Sequence, residues 1–196
     1  KYIEKFGSDV LRLYLEFAFS YTEGGPWDDS GIEAMGRFVK RIETTFDKYE
    51  ASINEIADIN TEEKKLNIAR HASIKAITHD VDLFQFNTSL ARIMEYMNAI
   101  NQYLTGKVNK TFLKECLDTF VLLLAPFAPH FSEELWERLG HTSSIFNENW
   151  PSFDDKILQA VDKLIVIQVN GKTRGKIEVA PDMEQKEIER LAVEKV

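Results

Sequence analysis

Lys163, Lys172, Arg174 and Lys176 are the residues of this chain best suited to act on a partner. They place four cations in one stretch with no acid between residues 164 and 177, on a chain of net charge −8. Cations on a rigid hairpin bind the phosphates of RNA, and phosphate contact supplies most nucleic-acid affinity. The same charges also protect an exposed strand edge from pairing with another chain, so residue type alone leaves both roles open. A second basic group, Arg37, Lys40, Arg41 and Lys48, follows a helical repeat. A solvated helix face is its ordinary reading, and contact with RNA the more specific one. Trp27, Trp136 and Trp150 carry rings of the kind that stack on bases. Trp136 sits beside Leu135 and Leu139 and reads as core; Trp27 and Trp150, at element junctions, read as plugs at the ends of a core.

Other chemistries find no support. His130, Glu133 and Glu134 begin an H-x-x-E-H zinc pattern, but glutamate stands where the second histidine is needed. No H-E-x-x-H occurs, and His71, His79 and His141 lack partners at ligand spacing, so no metal site is expected. Cys116 has no histidine near it in sequence and no G-x-S-x-G is present. Gly171-Lys172-Thr173 supplies only the end of a phosphate-binding loop, and it leads from strand to strand rather than into a helix. The carboxylate pairs Asp28-Asp29 and Asp154-Asp155 fall at helix or turn starts, where capping accounts for them. No catalytic residue and no cofactor site is expected.

The elements that would position the basic groups follow from periodicity and punctuation. A helix is expected over residues 8–20, capped by Ser8 or Asp9, with Val10, Leu11, Leu13, Tyr14 and Phe17 as its apolar stripe. Gly24-Gly25-Pro26 breaks the chain. Asp29 or Ser30 then opens a second helix with Ile32, Met35, Phe38, Val39, Ile42, Phe46 and Tyr49 on one side. A loop at 53–61 precedes a third helix through about Asp82. A fourth runs from about Asn87 to Leu104, stopped by Gly106, and a fifth, central one from about Lys110 to Ala125. Pro126 and Pro129 break the chain again. A short helix follows, with Glu133 and Glu134 in its first turn and Gly140 after its end. After Trp150-Pro151 the texture changes. Two β-branched runs flank Asn170-Gly171, the strongest short-range hairpin signal, and Asp182 with Gln185 resembles a capping box for a last helix. The expected fold is mainly α: an antiparallel helical bundle over 1–152 followed by a small α/β unit with a β-hairpin over 160–196.

Composition sets the frame. The chain has 196 residues, 44% hydrophobic and 29% charged, with 13 Phe and only 5 Pro, enough for a sizeable core. The negative charge argues against a surface that binds nucleic acid all over, though not against a local basic patch. The single Cys116, among Phe112, Leu113, Leu117 and Phe120, reads as a buried inert thiol and fits a reducing cytoplasm. No apolar run approaches membrane-span length, so no membrane partner is expected. Lys1 opens an amphipathic pattern and Val196 closes another, so the sequence reads as part of a longer protein.

Several segments resemble class I leucyl-tRNA synthetases. Residues Leu124 to Gly140, with Pro129-His130 at the centre, are similar to a signature near the end of their helical domain. Tyr2 to Tyr14 looks like the segment just after the KMSKS loop. Trp27 with Gly31-Ile32-Glu33 and Arg37 to Ile42 resembles the next landmark, and Phe86 to Ala91 with Met94 and Asn98 a helix-entry motif. Val169-Asn170-Gly171-Lys172-Thr173-Arg174-Gly175-Lys176-Ile177 is the most leucyl-specific match. The resemblance implies an anticodon-binding-type bundle that holds the tRNA body, and a hairpin that begins a C-terminal domain reaching toward the tRNA elbow. It implies leucine-accepting tRNA and the remaining synthetase domains as partners, and Lys172, Arg174, Lys176, Arg37, Lys40 and Arg41 as tRNA-binding residues. The full enzyme would ligate leucine to tRNA with ATP and Mg. The HIGH motif, the KMSKS loop and the editing domain do not occur here, so no family catalytic residue maps onto this sequence. The rival reading is a non-catalytic helical protein-interaction scaffold, which predicts a dispensable hairpin and apolar binding surfaces.

Overall fold

The structure is a computed structural model that describes residues 1–20, 22–53, 61–159, 163–169, 172–179, 183 and 185–194. The chain divides into two compact units, Lys1–Phe153 and Asp154–Val196. The first contains helices α1 (Tyr2–Phe6), α2 (Ser8–Ala18), α3 (Asp29–Ala51), α4 (Thr61–Asp82), α5 (Phe86–Tyr103), α6 (Lys110–Leu124) and α7 (Pro129–Arg138), then a single 3₁₀ turn, Ile145–Asn147. The second contains α8 (Asp155–Gln159), strands β1 (Lys163–Val169) and β2 (Lys172–Val179), and α9 (Gln185–Glu194).

The expected first helix is preceded by a short one. Gly7 at φ 85° separates α1 from α2 in a conformation that L side chains rarely adopt. α3 opens at Asp29, within the expected pair, and Asp28 is its N-cap. The Asp28 carboxylate accepts from Ser30 N at 2.9 Å and from Ser30 Oγ at 2.6 Å, and Tyr14 Oη accepts from Asp28 N at 2.7 Å. Ile32, Met35, Phe38, Ile42, Phe46 and Tyr49 are buried on one side of α3, which leaves the basic residues on the other. Residues 54–60 of the expected 53–61 loop lie outside the described set. α6 is buried almost all round near its end, as its composition requires: Leu117, Phe120, Val121, Leu123 and Leu124 have essentially no exposure. Cys116 is buried beside them, and burial pushes its thiol up to about 12, which makes it unreactive near neutral pH.

The start of α7 departs from expectation. The helix begins at Pro129, where the missing N–H costs nothing, so Glu133 and Glu134 fall in its second turn. The carboxylate for the positive helix end comes from α2 instead. Asp9, itself buried, accepts from Phe131 N at 2.7 Å and lies 3.0 Å from His130 Nδ1. Glu133 accepts from Ile145 N at 3.1 Å and from the Ser144 hydroxyl, tying α7 to the 3₁₀ turn. Gly140, at φ 88°, follows the end of α7. Trp136 is core, as expected, whereas Trp27 and Trp150 are 43% and 39% exposed. Their N–H groups donate to Asp29 and Thr78 at the surface, and the Trp27 ring lies at the rim against buried Tyr14, 4.8 Å between centroids.

Among the described residues, Glu16 on α2 is the carboxylate with a raised proton affinity. Its Oε2 is buried with no hydrogen-bond partner among those residues. Burial pushes its pKa up to about 7, with Arg12 opposing and Asp9 reinforcing the shift. The folded state therefore holds this proton more tightly than the unfolded chain. The advantage is complete below about pH 4.5 and is lost as pH rises through about 7. Glu16→Gln removes that loss. The variant is expected to match the parent at acid pH and to exceed it by about 1 kcal/mol at pH 8, a figure discounted for water reaching a half-buried group. Urea unfolding at both pH values measures this, and identical pH dependence in the two proteins would refute it.

In the second unit β1 and β2 pair antiparallel, with Ile165 opposite Ile177. Between Ile167–Gly175 and Gln168–Thr173 the register shifts, leaving Arg174 as the extra residue of a β-bulge. The Asn170-Gly171 turn and Asp182 of the capping box lie outside the described residues. Among those described, no helix is long and apolar enough to cross a membrane.

Candidate nucleic-acid interface

The helical repeat that buries one side of α3 gathers Arg37, Lys40, Arg41, Thr44 and Lys48 on the other. With Asn101 of α5 they line a shallow groove of about 450 Å³. The α5 wall is fixed by side-chain hydrogen bonds. Asn101 Nδ2 donates to Thr45 Oγ1 at 2.9 Å and to Met97 O at 3.0 Å, and Thr45 Oγ1 donates to Arg41 O at 2.9 Å. Arg41 Nη2 reaches across to Asn98 Oδ1 at 2.8 Å. Lys40 Nζ lies 2.9 Å from Glu43 Oε2, and that hydrogen bond raises the lysine above its ordinary pKa. Arg37 and Lys48 are exposed, and their side chains make no hydrogen bond or ion pair among the described residues.

Arg37, Lys40 and Arg41 are thus brought together on one surface. Periodicity alone identifies that face. Sequence reasoning misses the α5 wall, because Asn98 and Asn101 carry no charge and only the fold sets them opposite α3. In the second unit, Lys172 pairs with Val169 and Lys176 with Val166 in the ladder, while Arg174, at the bulge, is exposed. A larger concavity in the first unit, about 740 Å³, is lined by Glu133, Glu134 and Glu137 beside Trp136 and His141, and its charge repels phosphate. No cluster of three His, Cys, Asp or Glu suited to a metal occurs among the described residues.

The profile of a family described as the anticodon-binding domain of tRNA ligase matches residues 63–190. The chain belongs to this family. The match runs from the first turn of α4 into α9. The chain is also similar over 98% of its length to leucine–tRNA ligases. It is 50% identical over 197 residues to that of Clostridium tetani (strain Massachusetts / E88), 48% identical to that of Clostridium botulinum (strain Langeland), and 47% identical to that of Caldanaerobacter subterraneus subsp. tengcongensis. It spans about a quarter of the length of these relatives, 24% in each case. Among solved structures it resembles LeuRS from Agrobacterium radiobacter K84, crystallised as a ternary complex with tRNA and LeuAMS. That likeness has a TM-score of 0.82 and 32% identity, and covers 98% of this chain and 25% of the other.

Proposed function

We propose that this chain is the tRNA-docking part of a leucine–tRNA ligase, an enzyme that ligates leucine to its tRNA using ATP and Mg bound elsewhere in the full protein. The observation that carries the reading is the likeness, over 98% of the chain, to a LeuRS crystallised with tRNA. The bundle over 1–152 would hold the body of a leucine-accepting tRNA, and residues 160–196 would begin a C-terminal domain. The basic stretch of the hairpin, with Lys172, Arg174 and Lys176, and the basic surface of α3, to which Arg37, Lys40 and Arg41 belong, would each face backbone phosphates. Such contacts fix register and orientation without reading sequence. Their contribution to catalysis is to hold the acceptor end where the remaining domains of the synthetase can act on it, converting an encounter into an oriented reaction. A cytoplasmic location belongs to the same reading. A protein-interaction scaffold would instead present apolar surfaces, whereas the outer side of α3 and the sequence of the hairpin are rich in cations.

Binding of the chain to leucine tRNA across a salt series, with a non-cognate tRNA as competitor, tests this. The expected result is binding that weakens steeply with salt. Replacing Lys172, Arg174 and Lys176 together by Ala is expected to weaken it about tenfold or more and to lower the salt slope by about 2–3, at roughly one per lost phosphate contact. No binding even at low salt would favour the scaffold, and an unchanged slope would make the hairpin cations structural.

A further inference from the structure

Four cations lie on the exposed side of α3, but they are not equivalent. Lys40 is paired with Glu43 one turn along, at 2.9 Å. Arg41 is drawn sideways onto Asn98 of α5 at 2.8 Å. Arg37 and Lys48, at the two ends of the groove, have no side-chain partner among the described residues. Arg37 and Lys48 sit three helical turns apart, about 16 Å along the axis at ~1.5 Å per residue. The groove between them is lined by Thr44 and Asn101 and by no aromatic ring.

We infer that Arg37 and Lys48 form a two-point clamp on the backbone of double-stranded RNA, with Arg41 a positioning residue that joins α3 to α5 and Lys40 a bystander. The inference rests on the tRNA reading above and narrows it to a duplex arm. Three features carry it. Proteins that hold single strands stack bases on aromatic side chains, and this groove offers none. Double-stranded RNA is recognised by shape, through phosphates and 2′-hydroxyls across its wide, shallow minor groove. Two cations on one rigid helix, separated by about three turns, reach both phosphate rows beside such a groove, and the Thr44 hydroxyl between them, which donates to Lys40 O at 2.9 Å, keeps its accepting lone pairs for a sugar hydroxyl.

The test is a salt series with leucine tRNA, the parent chain and its variants. Arg37→Ala and Lys48→Ala are each expected to weaken binding about five- to tenfold at low salt and to lower the salt slope by about one. The charge-neutral deletion Lys5→Ala/Glu33→Ala, which removes an exposed ion pair outside the groove, is expected to stay within twofold of the parent in affinity, with the same slope. Both clamp residues are exposed, so melting curves should coincide, and Arg37→Lys with Lys48→Arg should restore the slope. An RNA hairpin stem should displace tRNA from the parent, whereas a single strand of equal length should not. If the parent binds tRNA while Arg37→Ala/Lys48→Ala keeps its slope, the clamp is refuted and the tRNA reading stands. Preferential displacement by the single strand also refutes it. If the parent shows no salt-sensitive binding, the tRNA reading itself falls.

Discussion

Replacing Trp136 by Ala is expected to lower the stability of the helical unit by about 3–5 kcal/mol, the range for deleting a large buried aromatic, and to lower its melting temperature by on the order of 10 °C. The indole is 4% exposed on the inner side of α7. It is also the floor on which the chain beyond α7 is laid. The His141 ring lies parallel to it, 3.6 Å between centroids and 7° between planes, while His141 Nε2 lies 2.8 Å from Asp118 Oδ1 of α6 and 3.1 Å from Lys114 Nζ. Removing the indole therefore opens a cavity and also loosens the link from α7 to α6. The indole N–H has no hydrogen-bond partner among the described residues. Trp136→Phe accordingly gives up volume but no hydrogen bond, and is expected to cost less than half as much as Ala. Thermal unfolding followed by near-ultraviolet circular dichroism compares the three proteins. A shift below about 2 °C for Trp136→Ala would place the ring outside the core.

The second large effect concerns a pair that is buried on one side only. Arg92 Nε of α5 donates to Asp80 Oδ2 of α4 at 2.6 Å; the aspartate side chain is 3% exposed and the arginine 39%. Removing one partner of such a pair leaves the other charge behind, and the penalty depends on where that charge is left. Arg92→Ala strands a carboxylate inside the protein and is expected to cost about 3 kcal/mol. Asp80→Ala leaves a guanidinium that water already reaches, and is expected to cost about 1 kcal/mol. The double variant should be more stable than Arg92→Ala alone, since it removes the stranded charge. Denaturant unfolding of the four proteins closes the cycle, and equal costs for the two single changes would contradict it.

Most of the helical architecture is legible in the sequence because its determinants are local. Thr61 and Asp82 bound α4 as the pattern predicts, and α6 ends within one residue of the expected place, ahead of Pro126 and Pro129. The misreadings cluster where a distant residue decides. Glu133 and Glu134 read as first-turn acids for α7, yet Asp9 of α2 already serves that helix end, and Glu133 is engaged with the 3₁₀ turn. The site divides in the same way. The basic side of α3 is written in its 3.6-residue repeat. The distinction between engaged Lys40 and Arg41 and unengaged Arg37 and Lys48 depends on the rotamers and partners that packing provides.

The Asp9 cap on α7 joins residues 122 positions apart. A chain emerging from the ribosome at about 5–20 residues per second therefore makes α2 roughly 6–24 s before the helix end it serves exists. Through that interval α2 has α3, next in line, to cover its apolar side, while the Asp9 carboxylate stays hydrated. Desolvation of that carboxylate and closure of the bundle then fall together once α7 has emerged. That makes the bond between Asp9 and Phe131 a late step in folding, and substitutions there are expected to speed unfolding more than they slow folding.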